Sequence, residues 1–456
     1  MASYADPASP PPDALQGWRR FVEQVGERIN TLPMLAALVL LYGWLTYYIF
    51  VDVIGTNIGF IRAGFQYYPP VAYSRALSIV VTLIPLLWIR RNFHQLSDII
   101  VFQIYIFVFV PSAIYLTMAV PASFERQLGI HATLLAAQAL LETRRILPTL
   151  SFARLPLNER AYVAILYLGA LTVVVAMYFL GEYSLDSLDL TSVYERRAET
   201  ISEQSGDILP YIANAAVTSL APICIIYGIL RRHWLLSLLG LAIAVESFAA
   251  TSFRSHLFVP LFAVGVALLI EVFGRRSFGW VLVSVGIALT VLPLAFDYLT
   301  GSGGLYSWIV HFRFIGNNGF LTAQYFEFFE HAAKGLYQDS FGRFFFDPQY
   351  HLPIAELVGS TFSIEGNHAN GNFWADGYGN MGLAGVAFAS LSLVAICWLL
   401  DSMVDRSILP ISIAPVISFG FGVANTAVHS VMTSNGGVLL IFLLLLMPSD
   451  QQSRRN

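Results

Sequence analysis

Apolar residues come in runs of about 20 along most of this chain, separated by short polar stretches in which arginine recurs, the pattern of helices threaded repeatedly through a bilayer. The runs predict twelve spans, over residues 33–53, 75–90, 98–119, 128–143, 161–182, 209–229, 234–250, 256–273, 278–296, 380–400, 408–426 and 434–448. Helices are required, because lipid offers no partner to the backbone groups of an open sheet edge. The expected fold class is an all-α polytopic integral membrane protein. Its order is a tail over 1–30, spans one to nine over 31–296, one large loop over 297–379, spans ten to twelve over 380–448, and a tail over 449–456.

Composition agrees with this pattern. The chain is 56% hydrophobic and 12% charged with a mean hydropathy of +0.65, too apolar for soluble domains. The first 16 residues, rich in Pro, Ala, Ser and Asp, read as a disordered tail rather than a signal peptide. Cys224 and Cys397 fall inside predicted spans as small apolar filler and mark neither a disulfide framework nor a metal site. No internal repeat and no phosphate-binding loop is found, so energy from ATP is not expected, and the net charge of −4 says little about partners.

Charge placement sets the orientation. Arg19, Arg20, Arg28, Arg90, Arg91, Arg144, Arg145, Arg154, Arg160, Arg231, Arg232, Arg275, Arg276, Arg406, Arg454 and Arg455 all fall on one side of the predicted spans, and they are 16 of the 25 basic residues. By the positive-inside rule that side is cytoplasmic, with both termini inside. Glu142 and Asp401, beside arginines at these helix ends, read as surface ion pairs. Two outer loops remain, 183–208 and 297–379, and the second is the richer. From Asp297 to Asp376 it holds 19 aromatic residues and four of the nine histidines, His311, His331, His351 and His368. Within it, 319–334 places Leu321, Tyr325, Phe328 and Ala332 on one arc with Glu327, Glu330, His331 and Lys334 nearer the other, which predicts a short helix lying along the membrane surface. Arg343, followed by three aromatics, reads as an interfacial anchor.

Candidate chemistry concentrates at three places. Arg254 lies in a turn short enough to make spans seven and eight a tight hairpin, with Ser252, Ser255 and His256 around it and Glu246 two helical turns earlier. A guanidinium there is either a headgroup contact or a fork for the oxygens of a lipid diphosphate. Arg313 precedes Gly316-Asn317-Asn318, a turn able to aim backbone N–H groups at an anion, and pairing with a loop carboxylate is its structural alternative. The third place is the end of the large loop, where Glu365, His368 and Asp376 are candidate general bases, and Asn367, Asn370, Asn372 and Asn380 can orient sugar hydroxyls. Asp376 is equally placed to cap the following helix, and Gly377, Gly379 and Gly382 permit a tight turn and close packing at its start. The histidines have no metal-ligand spacing and no Asp-x-Asp occurs, so neither metal nor other cofactor is expected. His429 is placed to face the same cavity as the large loop.

The segment Asn370-Gly-Asn-Phe-Trp-Ala-Asp-Gly-Tyr-Gly-Asn-Met-Gly-Leu-Ala-Gly385 resembles the loop-to-helix segment of the Wzy-type oligosaccharide repeat-unit polymerases, relatives of the O-antigen ligases. The likeness extends as topology over most of the chain: about twelve spans, an Arg at the outer end of a central span, and one large loop before the last spans. The resemblance implies a GT-C-like fold in the bacterial inner membrane and metal-independent glycosyl transfer between undecaprenyl-diphosphate-linked glycans on the periplasmic face. It further implies Asp376, His368 or Glu365 as base, and Arg254 and Arg313, with Asn318, Asn370, Asn372 and Trp374, as groups holding diphosphate and glycan. A chain-length-regulating membrane protein is an expected partner and nucleic acid is not. The alternatives left open are an O-antigen ligase delivering the glycan to a lipid A core, and a polytopic lipid or solute transporter.

Overall fold

The computed structural model describes residues 12–55, 67–150, 155, 157–180, 208–363, 368–405 and 407–448. In chain order they form α1 (Pro12–Ile29), α2 (Leu32–Ile54), α3 (Ala72–Leu83), α4 (Leu96–Tyr115), α5 (Phe124–Leu140), α6 (Glu159–Leu180), α7 (Leu209–Arg231) and α8 (Trp234–Thr251). There follow α9 (Arg254–Phe273), α10 (Phe278–Thr300), α11 (Asn317–His331), α12 (Ile354–Phe362), α13 (Phe373–Met403), α14 (Leu409–Asn425), α15 (Val428–Thr433) and α16 (Gly437–Leu446), with no strand among the described residues. Eight of the described helices, α2, α4, α6 to α10 and α13, are long and apolar enough to cross a membrane, while Ala72–Leu87, α14 and α16 are shorter apolar helices. The chain is an all-α, multi-pass membrane protein.

The bundle is built around α4, every residue of which is buried. A helix enclosed on all sides must be apolar all round, and its few polar groups need partners. Gln103 donates to the Ile417 carbonyl at 3.0 Å, and Tyr105 reaches the Thr82 carbonyl at 2.7 Å. Pro111 has no N–H for the preceding turn, and α4 widens over Tyr105–Phe109 just ahead of it. Gly319 lets α11 approach this point, since a Cβ there would stand 2.4 Å from the Pro111 oxygen.

The arginine-bearing connections converge at one end of the bundle. Asn30, at the end of α1, donates to the carbonyls of Arg91 and Arg276 and accepts from the Trp280 N–H. The segment Pro12–Ile29, which the sequence placed in a tail, is thus a helix docked on α9 and on residues 275–277; residues 1–11 lie outside the described set. Glu142 and Asp401 join a buried network rather than surface pairs. Arg144, 1% exposed, meets Asp98, 0% exposed, at 2.7 Å, and also donates to Ser97, which in turn holds Asp401. Glu142 pairs with Arg145 at 2.6 Å.

At the opposite end the structure departs from the expected surface loop. The segment 319–334 is indeed helical in its main part, as α11, but residues 318–326 are buried, wedged between α4 and α13. Arg126 of α5 closes its far end by pairing with Glu327 and Glu330. The tenth span also begins differently. Met381 and Gly382 leave helical geometry, Gly382 with φ +61° and ψ −139°, and α13 is a hairpin of two arms. The short arm folds back along the long one so closely that a Cβ on Gly385 would stand 1.8 Å from the Gly377 oxygen. Trp374 on one arm donates to Ser390 on the other at 3.0 Å. Gly371 and Asn372 are therefore buried in the bundle at the end opposite the arginine-bearing connections, while His368 and Asn370 just before them stay exposed.

Candidate functional site

The α8–α9 connection is the first wall of the site. Ser252 takes the left-handed conformation, φ 55°, and its N–H bonds the Phe248 carbonyl, ending α8 so that α9 starts two residues later at Arg254. Thr251 donates to the Ser247 carbonyl at 2.6 Å and meets His256 Nδ1 at 2.8 Å, while His256 Nε2 lies 2.8 Å from Asn214 Oδ1 on α7. This chain of polar contacts fixes the turn against α7. Arg254 is thus held on the first turn of a 20-residue helix, where the positive end of the macrodipole adds to its own charge.

The second wall is the helix leading into α11. Asp297, near the end of α10, accepts from the N–H groups of Tyr306 and Ser307 at 2.8 and 2.7 Å and so starts the next helix. That helix runs in wide turns over Ser307–Gly316, which bring residues five apart onto one face. Arg313 accordingly stands over the Trp308 ring at 5.3 Å, its guanidinium oriented by cation–π attraction. The third wall is the segment 368–372, tied at its ends by Ala369 N–H on the Ala355 carbonyl (2.8 Å) and by Asn372.

These walls line an open cavity of about 450 Å³, bounded further by α14 and the last loop. Four sequence candidates, Arg254, Arg313, His368 and Asn370, line it together, although they lie on three separate segments. Around them stand Asn214, Asn317, Asn425 and Asn435 and the hydroxyls of Thr218, Ser252, Ser255, Thr426 and Ser430. Two guanidiniums, two imidazoles and several amides meet here, with no carboxylate among the described residues that line the cavity. Such an inventory suits an anion surrounded by hydroxyl-bearing groups. His368 is backed by Glu356 of α12, its Nε2 4.0 Å from Glu356 Oε2.

Other sequence candidates stand outside the cavity. Asn318 donates to the Phe107 carbonyl at 2.9 Å. Asn372 caps α13 through the N–H groups of Trp374 and Ala375, and its own amide donates to Thr322 and to the Asn318 carbonyl. Trp374 is wholly buried on Ser390. Asp376 lies on the short arm of α13, where Oδ1 accepts from Asn380 at 3.2 Å, and Asn380 in turn accepts the Tyr337 N–H. His429 packs against the rings of Tyr337 and Phe341, where burial pushes its imidazole below the usual range, while its neighbour Ser430 reaches the cavity. Glu246 does not line the cavity. Glu365 and Asn367 lie outside the described residues. Among the described residues no three His, Cys, Asp or Glu side chains converge as a metal site.

Sequence reasoning missed Asn214, Asn425, Asn435 and Glu356. The available signal was an amide at the outer end of an apolar run, as in Asn214 and Asn425, where lipid gives it no partner. Glu356 had no such signal, since it sits in an ordinary polar loop and meets His368 only through the fold. Comparison of the chain with protein-family models, with curated proteins and with solved structures finds no match.

Proposed function

We propose that this protein is a membrane glycosyltransferase that polymerises polyprenyl-diphosphate-linked oligosaccharide repeat units, moving the growing glycan from its lipid diphosphate onto a hydroxyl of the incoming unit. The observation that carries the reading is the cavity with Arg254, Arg313, His368 and Asn370 in its wall and no carboxylate among the described residues that line it, at the end of the bundle away from the arginine-rich connections. With the positive-inside orientation, twelve spans and both termini cytoplasmic, that end faces the periplasm of a bacterial inner membrane. A GT-C-like relationship and a chain-length-regulating partner belong to the same reading.

In this mechanism the acceptor oxygen attacks the anomeric carbon of the donor glycan. The bond from that carbon to the diphosphate oxygen breaks, and the electron pair leaves with the diphosphate. Arg254 and Arg313, with the α9 N-terminus, stabilise the charge that develops there. His368 accepts the acceptor proton, with Glu356 holding the ring and balancing the imidazolium charge. Asn214, Asn317, Asn370 and Asn425 are available to sugar hydroxyls. Asp376 is left to the α13 hairpin, since it does not line the cavity. The isoprenoid tail has a place beside the site. An open groove of about 290 Å³ runs between α10 and residues 306–310, lined by Leu289, Leu292, Pro293, Phe296 and Val310, and Val310 is next to the cavity residue Ile309.

The test is incubation of the purified protein in nanodiscs with a lipid-linked repeat unit. A ladder of glycan lengths, lost in Arg254→Ala and Arg313→Ala, is the expected result. No ladder, with single transfer only when lipid A core is supplied, would replace the reading with a ligase. Passage of the lipid across the bilayer without any new glycosidic bond would replace it with a transporter.

A further inference from the structure

Residues 335–352 form a finger beside α13 that is built to be rigid. Its base is stitched to the short arm of α13: Gly335 and Leu336 donate to the carbonyls of Gly379 and Asn380, and Tyr337 donates to Asn380 Oδ1 at 2.7 Å. Its neck is closed by one side chain. Gln338 donates to the carbonyls of Tyr350 and Leu352 at 3.0 and 3.1 Å and accepts from the N–H groups of Gln349 and Tyr350 at 2.9 and 3.0 Å. Gly342 is packed so tightly that a Cβ would stand 1.8 Å from the Leu336 oxygen.

This rigid support holds Phe344, Phe345 and Phe346 outward, 73%, 75% and 54% exposed. Three adjacent phenylalanines in water on a fixed loop are unfavourable, and a loop this well hydrogen-bonded cannot tuck them in. The surroundings identify what covers them. Phe341 and Tyr337 of the finger pack on Phe388, which belongs, with Leu383 and Leu391, to the outward-facing apolar side of a helix long and apolar enough to cross the membrane. The phenylalanines therefore continue a surface that already faces lipid. Arg343 lies over the Phe344 ring at 5.1 Å, an aromatic body with a cation beside it, as suits the level of lipid phosphates.

We propose that this finger is a bilayer anchor: Phe344, Phe345 and Phe346 enter the headgroup–acyl boundary of the leaflet at the end of the bundle opposite the arginine-bearing connections, and Arg343 contacts lipid phosphate. The occupant of this patch is lipid, and the finger fixes the height of the short arm of α13 to which it is bonded. The inference rests on the membrane-crossing helix and the finger alone and stands whatever reaction the cavity performs.

The experiment uses a single new cysteine, Phe345→Cys, carrying an environment-sensitive nitrobenzoxadiazole label, since Cys224 and Cys397 are both buried. The full-length protein is placed in nanodiscs of phosphatidylcholine and phosphatidylglycerol, with and without phosphatidylcholine spin-labelled at carbon 5. A blue-shifted emission quenched severalfold more by the spin-labelled lipid than by aqueous iodide is expected. Quenching by iodide alone would place the finger in water and overturn the proposal. Protection from both quenchers, with cross-linking of two copies through position 345, would assign the patch to protein instead and overturn it equally. The label reports position directly, so the answer does not depend on how a Phe344→Ser, Phe345→Ser, Phe346→Ser variant folds.

Discussion

His368 Nε2 stands 4.0 Å from Glu356 Oε2, so an imidazole in the cavity wall is met by a carboxylate of α12 that does not itself line the cavity. If His368 takes the acceptor proton, His368→Gln should lower turnover by about 10²–10⁴-fold. Glu356→Gln should lower it by a smaller factor, with KM nearly unchanged, because it orients the base without touching substrate. Steady-state kinetics on a soluble acceptor analogue separate the two. Equal losses in KM for both variants would place them in substrate binding instead.

Arg254 and Arg313 approach the same cavity from α9 and from the wide-turn helix after α10. Each charge-assisted hydrogen bond to phosphate is worth about 1.5–3 kcal/mol, so each Arg→Ala variant should lose about ten- to a hundredfold or more in kcat/KM. Arg→Lys should recover only part of this loss, since an ammonium lacks the planar fork that matches a diphosphate. Lipid diphosphate binding measured by fluorescence competition checks the expectation without relying on turnover. Full rescue by lysine would reduce the role to that of a point charge.

Much of this arrangement was legible in the chain. Of the twelve apolar runs, eight fall on helices long and apolar enough to cross a membrane and three on shorter apolar helices, while the run over 128–143 falls on α5, which is neither. The turn at Arg254 was equally plain, since two long apolar runs left no room for a longer connection. The α13 hairpin was not. Glycines at 377, 379 and 382 announced a tight turn and close packing, but one break at Met381–Gly382 decides whether residues 372–380 extend the span or fold back along it. That decision moved Asn372 and Trp374 into the protein interior and carried Asn370 to the cavity. Likewise, the Phe and Tyr residues of α11 suggested a helix lying at an interface, while the partners that bury it, around Pro111 and Asn372, are far away in sequence.

The Arg144–Asp98 pair is closed to water, with Arg144 also donating to Ser97 and Asp98 also accepting from the N–H groups of His94 and Gln95. Removing one partner leaves the other charge buried, which costs about 3–5 kcal/mol. Asp98→Asn should therefore lower the thermal midpoint in detergent markedly, whereas Arg276→Ala, whose pair with Glu27 is largely exposed, should change it little. Equal shifts in the two variants would contradict the burial argument.

Gly382 and Gly129 make a second contrast. Gly382 occupies a backbone region, φ +61° and ψ −139°, that L side chains avoid, although a Cβ would meet nothing closer than Lys334 Cε at 3.4 Å. Gly382→Ala should thus cost about 1–3 kcal/mol through the backbone alone. Gly129 lies inside α5 with open space where its Cβ would be, so Gly129→Ala should stabilise by about 0.5–1 kcal/mol. Opposite shifts in melting temperature are the expected readout, and a neutral Gly382→Ala would show that the α13 arms can reorganise.

His311 gives the fold a dependence on pH. Its Nδ1 lies 3.0 Å from Thr290 Oγ1, and Thr290 already donates to the Gly286 carbonyl, so Nδ1 carries the proton. Nε2 is buried without a hydrogen-bond partner. A second proton would sit on that nitrogen in apolar surroundings, and burial accordingly pushes the imidazole down to about 3. The unfolded chain binds this proton near pH 6.5 and the folded chain does not, so the contribution to stability is complete above about 6.5 and is lost progressively as pH falls toward about 3. Melting in detergent at pH 7.5 and pH 5 should show a drop that His311→Gln reduces, since an amide has no proton to gain in this range. An undiminished drop in that variant would move the acid sensitivity to another group.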